Sequence, residues 1–362
     1  MKTSANHISD FFQDWAPLKT KLDYDNVGLL IGQPDKPVKR VLVCLDVTDD
    51  VVQEAIDTGS HLIVAHHPVI FKKLSSVTTA DATGRLVYHL IRNDIAVLAV
   101  HTNLDAAREG VSFAMAEKIG LKNCRFLESS LKSLQLVRVT CPANHSEKIT
   151  ALLAKTGVRA VTVPITDDSG SDNDNDNGYA LVEFTADSFR LPAIVASIEE
   201  LIPGFRNGMV VIPVDQPSQS SGFGVTGELD EPLGQNAFLE RLAGRLGSSS
   251  IRYSGSSETI KKVAVCGGAG VSLAERAMAS GADAFVTADV KYHDFFSGKP
   301  GFLLADVGHY ESEVHILETM VMKLKKSFPD LEIFTTRVNT NPVQSFALNF
   351  ELNKNTEPKK SE

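Results

Sequence analysis

Two histidines stand side by side, His66 and His67, directly after the apolar run Leu62 to Ala65 and directly before Pro68. Along a continuous strand neighbouring side chains point to opposite faces, so this pair converges only if the chain turns, and Pro68 favours a turn. One His in the core and one in solvent is the competing reading. A second run, Ile95 to Val100, leads into His101-Thr-Asn-Leu-Asp105, and a third, Phe302 to Ala305, leads into Asp306-Val-Gly-His309. His309 and Glu313 are four apart at the opening of an expected helix, which sets imidazole and carboxylate on one face. Alone, such a pair is usually a surface hydrogen bond. Three strand ends that bring His, Asp and Glu to one sheet edge favour a metal instead. Three imidazoles and two carboxylates exceed the needs of a single tetrahedral ion with an open position. They suit two ions on the order of 3.5 to 4 Å apart that share a carboxylate and a water. Nitrogen and oxygen donors without thiolate fit zinc, iron, manganese or cobalt.

The elements that must position these residues are legible as alternating patterns. Ser9 to Trp15 reads as a short amphipathic helix ended near Pro17. Val41 to Val47 reads as a strand, Asp49 to Thr58 as a helix stopped at Gly59, and Leu62 to Ala65 as a second strand. A helix from Arg85 to Asn93, a strand from Ile95 to His101 and a helix from Gly110 to Ile119 follow. After Gln216 to Gly222 the same alternation returns: helix Phe238 to Leu246, strand Lys262 to Val265, helix Leu273 to Ser280, strands Ala284 to Ala288 and Phe302 to Asp306, and a long helix Glu311 to Lys326. Strands alternating with helices predict an α/β fold, with ligands at the C-terminal ends of the strands. Shifting the chain by 222 residues superimposes Lys39, Val41, Val43, Cys44, Ala55, Gly59 and Val64 on Lys261, Val263, Val265, Cys266, Ala277, Gly281 and Val286. This echo predicts two related halves.

Between the halves the order changes to strand (Leu134 to Thr140), helix (Ser146 to Thr156), strand (Ala160 to Ile165), strand (Tyr179 to Thr185), helix (Phe189 to Leu201) and strand (Met209 to Val214). That βαββαβ order predicts an inserted ferredoxin-like unit. Its polar linker, Ser169 to Gly178, reads as a solvated turn rather than a calcium loop, since it lacks the twelve-residue ligand pattern. Residues 133–215 hold 6 basic and 11 acidic side chains, so the unit carries −5 of a total net charge of −9. That balance disfavours nucleic acid or an anionic membrane as the main partner. No apolar run approaches a bilayer span, and the first residues lack an apolar signal core, which together predict a cytoplasmic protein. The scattered Cys44, Cys124, Cys141 and Cys266 suggest neither a disulfide framework nor a thiolate cage.

Six segments together resemble the NIF-three-like family, the GTP cyclohydrolase I type 2 homologues: Tyr24-Asp-Asn-Val-Gly-Leu-Leu-Ile-Gly32, Cys44-Leu-Asp-Val-Thr48, Ala65-His-His-Pro-Val-Ile-Phe71, His101-Thr-Asn-Leu-Asp105, Thr287-Ala-Asp-Val-Lys-Tyr-His-Asp294 and Asp306-Val-Gly-His-Tyr-Glu-Ser-Glu313. The resemblance covers residues 1–130 and 222–362 as a dinuclear metal core, while residues 131–221 resemble the PII/CutA-like domain of its longer members. It implies that His66, His67, Asp105, His309 and Glu313 ligate two divalent ions, and that the chain forms a homo-oligomer, a hexameric ring with sites facing an interior cavity. Tyr24 and Thr287-Ala288 stand where the pattern leads one to expect Trp and Thr-Gly, which bears on local packing or substrate contacts only.

Other readings are less determinate. Asp25 and Asn26 either orient a substrate or form the turn before Gly28, and the resemblance favours a site role. His101 and His293 are candidates for proton transfer or for holding the metal ligands, with a packed, hydrogen-bonded His as the rival. Cys266-Gly-Gly-Ala-Gly270 sits between strand and helix as phosphate loops do, but fits neither G-x-G-x-x-G nor the Walker pattern and reads as a tight turn. The expected function is a metal-dependent hydrolase of a nucleotide-like or other small heterocyclic substrate. A non-enzymatic metal-binding scaffold or regulator and a phosphodiesterase or phosphatase using the same ions are the alternatives.

Overall fold

The computed structural model describes residues 2–129, 134–165, 178–214 and 220–346. The polar linker Ser169 to Gly178, except Gly178, and residues 216–219 of the soft stretch lie outside them.

Local chemistry sets the first βαβ unit. The strand Arg40–Cys44 runs into Thr48, whose hydroxyl accepts from the Val51 N–H at 3.3 Å and caps the helix Asp49–Asp57. Asp49 and Asp50 sit in the first turn, where the helix dipole favours negative charge. Gly59, at φ +64°, turns the chain out of the helix and into the strand Leu62–Ala65. The apolar face of the helix, Val51, Val52 and Ala55, packs on Leu42, Ile63 and Ala65.

This unit belongs to a five-stranded sheet ordered Gly28–Ile31, Ala96–Ala99, Leu62–Ala65, Arg40–Cys44, Glu332–Thr335. All neighbours are parallel except the edge strand Gly28–Ile31, which pairs antiparallel with Ala96–Ala99. The second sheet has six strands, ordered Arg252–Ser254, Leu303–Asp306, Ala284–Thr287, Ile260–Val265, Gly222–Leu233, Lys122–Ser129. Its central strands Leu303–Asp306, Ala284–Thr287 and Ile260–Val265 are parallel, and its other pairings antiparallel.

The sequence echo has a counterpart in register. Val41 pairs with Leu62 and Val43 with Val64 in the first sheet; Val263 pairs with Ala284 and Val265 with Val286 in the second. These are the same pairs displaced by 222 residues. Turn bonds repeat with the same offset: Ser60 N–H to Ala55 O and His61 N–H to Arg40 O become Ala282 N–H to Ala277 O and Asp283 N–H to Lys262 O.

The halves are interlocked. The last described strand, Glu332–Thr335, returns to the first sheet, drawing the helix Ile316–Ser327 across it through Ile316, Leu317, Met320 and Leu324. The helix Val111–Ile119 is shared, giving Val111 and Ala114 to the first core and Met115, Ala116 and Ile119 to the second. Apolar residues around most of this helix, with only Glu117 exposed, suit burial between two layers. The expected single helix Glu311 to Lys326 is two: His309–Glu313 and Ile316–Ser327, joined where Leu317 N–H bonds to Val314 O instead of one residue further back.

A third sheet is antiparallel throughout, ordered Ala160–Ile165, Tyr179–Asp187, Leu134–Pro142, Met209–Pro213. The helices Ala143–Lys155 and Leu191–Leu201 cover one face, seating Ile149, Leu153, Ile194 and Ile198 on Val137, Val139, Val182 and Phe184. Its other face leaves Val161, Val163, Ile165, Tyr179, Val210 and Ile212 exposed.

Candidate metal centre

The expectation of one shared sheet edge is corrected here. His66 and His67 follow Leu62–Ala65, and His101 and Asp105 follow Ala96–Ala99, both in the five-stranded sheet, but His309 and Glu313 follow Leu303–Asp306 in the six-stranded sheet. The site lies where the C-terminal ends of two sheets meet, and the interlocked halves hold them there. Ala65 pairs with Ala99 and Thr287 with Asp306; counted from these matched strand ends, Asp105 lies six residues on and Glu313 seven. The two halves thus each supply one carboxylate from an equivalent place.

The five side chains converge. His66 Nε2 is 3.6 Å from Asp105 Oδ1 and 3.8 Å from Glu313 Oε1. The other Glu313 oxygen, Oε2, is 3.0 Å from His67 Nε2 and 3.2 Å from His309 Nε2. Among the described residues, potential ligand atoms group as His66, Asp105 and Glu313, as His67, His309 and Glu313, and as His66, His67 and His101, each within 4.8 Å. Glu313 belongs to two of the groups and turns one oxygen to each.

Each imidazole is anchored at Nδ1, which frees Nε2. His66 Nδ1 is 2.8 Å from Val100 O, His67 Nδ1 2.7 Å from Asp46 Oδ1, His101 Nδ1 2.9 Å from Asp25 Oδ1 and His309 Nδ1 2.8 Å from Asp289 Oδ2. This is how metal-binding histidines are ordinarily oriented and made more basic. His66 Nε2 and Asp105 Oδ1 are buried with no hydrogen-bond partner, and Glu313 Oε2 meets neither nearby ring in hydrogen-bonding geometry. Orphaned buried polar atoms of this kind are costly unless something satisfies them. A cation in each of the two groups that contain Glu313 would satisfy them, His66 Nε2 and Asp105 Oδ1 in one and Glu313 Oε2 in the other, so the donor set fits metal.

The electrostatics record the crowding. Burial opposes charge on His67, yet the Asp46 and Glu313 carboxylates beside it push its pKa up to about 10. Glu313 and Asp289 raise His309 to about 9 despite its burial. Burial, with Glu313 adjoining, lifts Asp105 to about 6. Glu313 is itself buried, but His309, His66 and His67 hold its carboxyl well below the usual range. Three imidazole rings thus bear on one buried carboxylate.

Asp25 is buried and held ionised, well below the usual carboxylate range, by bonds from His101 and Thr102 that outweigh the burial. Its carboxylate contacts the His101 ring and both the N–H and hydroxyl of Thr102. Asn26 donates from Nδ2 to Ile70 O at 2.5 Å and so ties two loops together. His293 lies on the exposed turn Tyr292–Ser297, in ring contact with Tyr292 and Phe296 and outside the three groups.

Sequence reasoning missed Asp46 and Asp289, the partners of the His67 and His309 rings. Asp289 adopts φ +54°, a left-handed conformation uncommon outside glycine and suggestive of a functional constraint. A signal was present: both residues lie within the recognised segments, and Asp289 is the 222-residue counterpart of His67. The glycine loop Cys266 to Gly270 is a tight turn, as read, with its amides committed internally. Gly267 N–H donates to Ser112 Oγ, Gly268 N–H to Ser312 Oγ and Gly270 N–H to Thr287 Oγ1. Gly268 sits at φ +62°, and a Cβ there would collide with Glu313 Oε1. Gly268 leaves the space that the Glu313 carboxylate occupies, while Val111 crowds Gly267 and Cys266 crowds Gly270.

Comparison with known proteins identifies relatives over nearly the whole chain. The chain is 31% identical over 360 residues to the GTP cyclohydrolase 1 type 2 homolog of Halalkalibacterium halodurans, covering 92% of this chain and 97% of that protein. It is 32% identical over 354 residues to the homolog of Staphylococcus aureus strain Mu50, covering 91% and 96%. Among solved structures, a Bacillus cereus protein related to NIF3 superposes with a TM-score of 0.79 at 28% identity, over 96% of this chain and 100% of that one. The model of the family Duf34/NIF3 (NGG1p interacting factor 3) matches residues 3–342, and with its pattern running through almost the whole chain this protein belongs to that family.

Proposed function

We propose that the protein is a metal-dependent hydrolase acting on a nucleotide-like or other small heterocyclic substrate. The observation that carries this is the convergence of His66, His67, Asp105, His309 and Glu313 with buried donor atoms that have no other partner. His66, Asp105 and Glu313 would hold one divalent ion, and His67, His309 and Glu313 a second. Two such ions activate water near neutral pH and polarise the bond under attack. His101, fixed through Nδ1 by Asp25, presents Nε2 beside His66 and His67 and is the residue placed to move a proton. His293 would reach substrate only from the outer turn. Zinc, iron, manganese and cobalt all fit the donors. The names of the relatives suggest GTP chemistry, and opening a purine at its imidazole carbon is compatible with the site.

In this reading residues 1–130 and 222–362 form the metal core, and residues 131–221 a ferredoxin-like, PII/CutA-like insert. The exposed apolar face of the third sheet supports assembly of several copies, since contiguous apolar surface of that kind is usually covered. A hexameric ring in the cytoplasm is the assembly and location we propose. Among the described residues no helix is long and apolar enough to cross a membrane.

Elemental analysis beside His66→Ala and Glu313→Ala variants tests the centre. The expected result is about two ions per chain, falling below one when the shared carboxylate is removed. Metal-replete protein should then release product from a panel of nucleotides, heterocycles and phosphodiesters, with His309→Ala abolishing release. Release from simple phosphodiesters alone would favour the phosphodiesterase reading. Metal retained with no turnover on the whole panel would favour a scaffold or regulator.

A further inference from the structure

Two large side chains stand in solvent at the rim of the metal centre. Tyr24 is 67% exposed and Phe71 48% exposed. Their ring centroids are 6.3 Å apart at 62°, and the Phe71 ring lies 6.4 Å from His101, which in turn lies 5.3 Å from both His66 and His67. The rings form a continuous path from solvent to the ligands. Neither aromatic is stranded by accident, because both carrier loops are tied down. Asp25, beside Tyr24, binds His101 and Thr102; Leu22 N–H donates to Thr102 Oγ1 at 3.0 Å; Asn26 Nδ2 donates to Ile70 O, beside Phe71. The Asp25 N–H closes the turn around Tyr24 on Leu22 O, and the next residue, Asn26, fixes the loop that carries Phe71. Rigid, exposed aromatic surface next to a polar reaction centre is what a planar ring requires for stacking. The side chain between Phe71 and the His66 and His67 rings is the His101 imidazole, so a ring seated on the wall presents its substituents to it.

We infer that Tyr24 and Phe71 form the wall that seats a planar heteroaromatic ring of the substrate, so that the site selects ring-bearing substrates over aliphatic ones. The inference deepens the proposed function and rests on it for the word substrate, while the binding selectivity it states can be measured without turnover. Lys72 and Lys73 follow Phe71 on the exposed side of the same loop, which suits a ring that carries an anionic group.

The test is binding by metal-replete protein to guanosine 5′-monophosphate, thymidine 5′-monophosphate and nicotinamide mononucleotide, each against ribose 5-phosphate, by calorimetry. At least one ring-bearing probe should bind more tightly than ribose 5-phosphate. Tyr24→Ala and Phe71→Ala should each weaken that probe by about fivefold to 100-fold and leave ribose 5-phosphate unchanged. Tyr24→Phe should restore wild-type binding, because the ring and not the hydroxyl does the seating. Metal content should equal wild type in every variant, and Tyr88→Ala, an exposed ring on the helix Ala82–Arg92, should have no effect. Equal binding of ribose 5-phosphate and all three ring-bearing probes overturns the wall, as does unaltered selectivity in both alanine variants. Alanine variants that change only the oligomeric state would assign the pair to a contact between copies and also overturn it. Selective ring binding without hydrolysis of any panel compound would leave the wall standing and remove the hydrolase. Hydrolysis untouched by Tyr24→Ala and Phe71→Ala would do the reverse.

Discussion

Loading the metal-free protein with cations should expel protons, and the structure sets how many. Near pH 7.5 His67, pushed to about 10, and His309, pushed to about 9, are both protonated, whereas Asp105, at about 6, and Glu313 are ionised. A metal takes only neutral imidazole, so both ring protons must leave when the centre fills. The expected release is about two protons per chain, and the overall association constant should rise on the order of 100-fold from pH 7 to pH 8. Calorimetric titration in buffers of different ionisation enthalpy counts the protons, and a competing chelator at several pH values gives the slope. Asp46→Asn removes one of the two carboxylates that hold the His67 proton, and should lower the count towards one. Release well below one proton, or affinity flat across that interval, would refute the picture of a centre held together by protonated rings. Stability without metal should change in the opposite direction. The folded chain binds these protons more tightly than the unfolded chain, whose histidines titrate near 6.5. Their contribution is therefore complete below about pH 6.5 and fades as pH rises through 9 and 10. Melting temperature of metal-free protein should fall over that interval.

Asp289→Asn should weaken metal binding by about 10-fold to 100-fold with little change in melting temperature, as read by chelator competition, because it loosens the His309 ring without emptying the core. Gly268→Ala should cost about 1 to 3 kcal/mol of stability in denaturant titration and deplete metal, since a left-handed backbone and the Glu313 carboxylate both oppose a methyl group there. The contrasting change, Gly244→Ala, meets open space within the helix Gln235–Leu246 and should add about 0.5 to 1 kcal/mol. Phe238→Ala, at a fully buried ring in the second core, should cost about 3 to 5 kcal/mol while metal content per folded chain stays at the wild-type value.

Much of the secondary structure could be read directly. Leu62–Ala65 and Ala160–Ile165 fall where the apolar runs put them, and the capped helix Asp49–Asp57 ends one residue short of the expected Thr58, just before Gly59. Short edge strands escaped notice: Gly28–Ile31 and Arg252–Ser254 have three or four residues and little alternation. Gly222–Leu233 was missed because its glycines and acidic residues mask the pattern, and it is a strand because it has partners on both sides. Glu332–Thr335 is likewise defined by its parallel partner Arg40–Cys44, almost three hundred residues away.

The amino-acid order alone determined the kinds of donor available, their position at strand ends, the i,i+4 placement of His309 and Glu313, and the internal echo. These are local properties, set by side-chain chemistry and by the two periodicities of helix and strand. Only the tertiary structure decided that the donors come from two sheets, that Asp46 and Asp289 aim two of the rings, that a glycine loop clears space for Glu313, and that Tyr24 and Phe71 stand at the rim. Each depends on atoms remote in the chain lying within a few ångströms, and no local pattern carries that information. The reason they meet is the returning strand and the shared helix, which lock one half against the other.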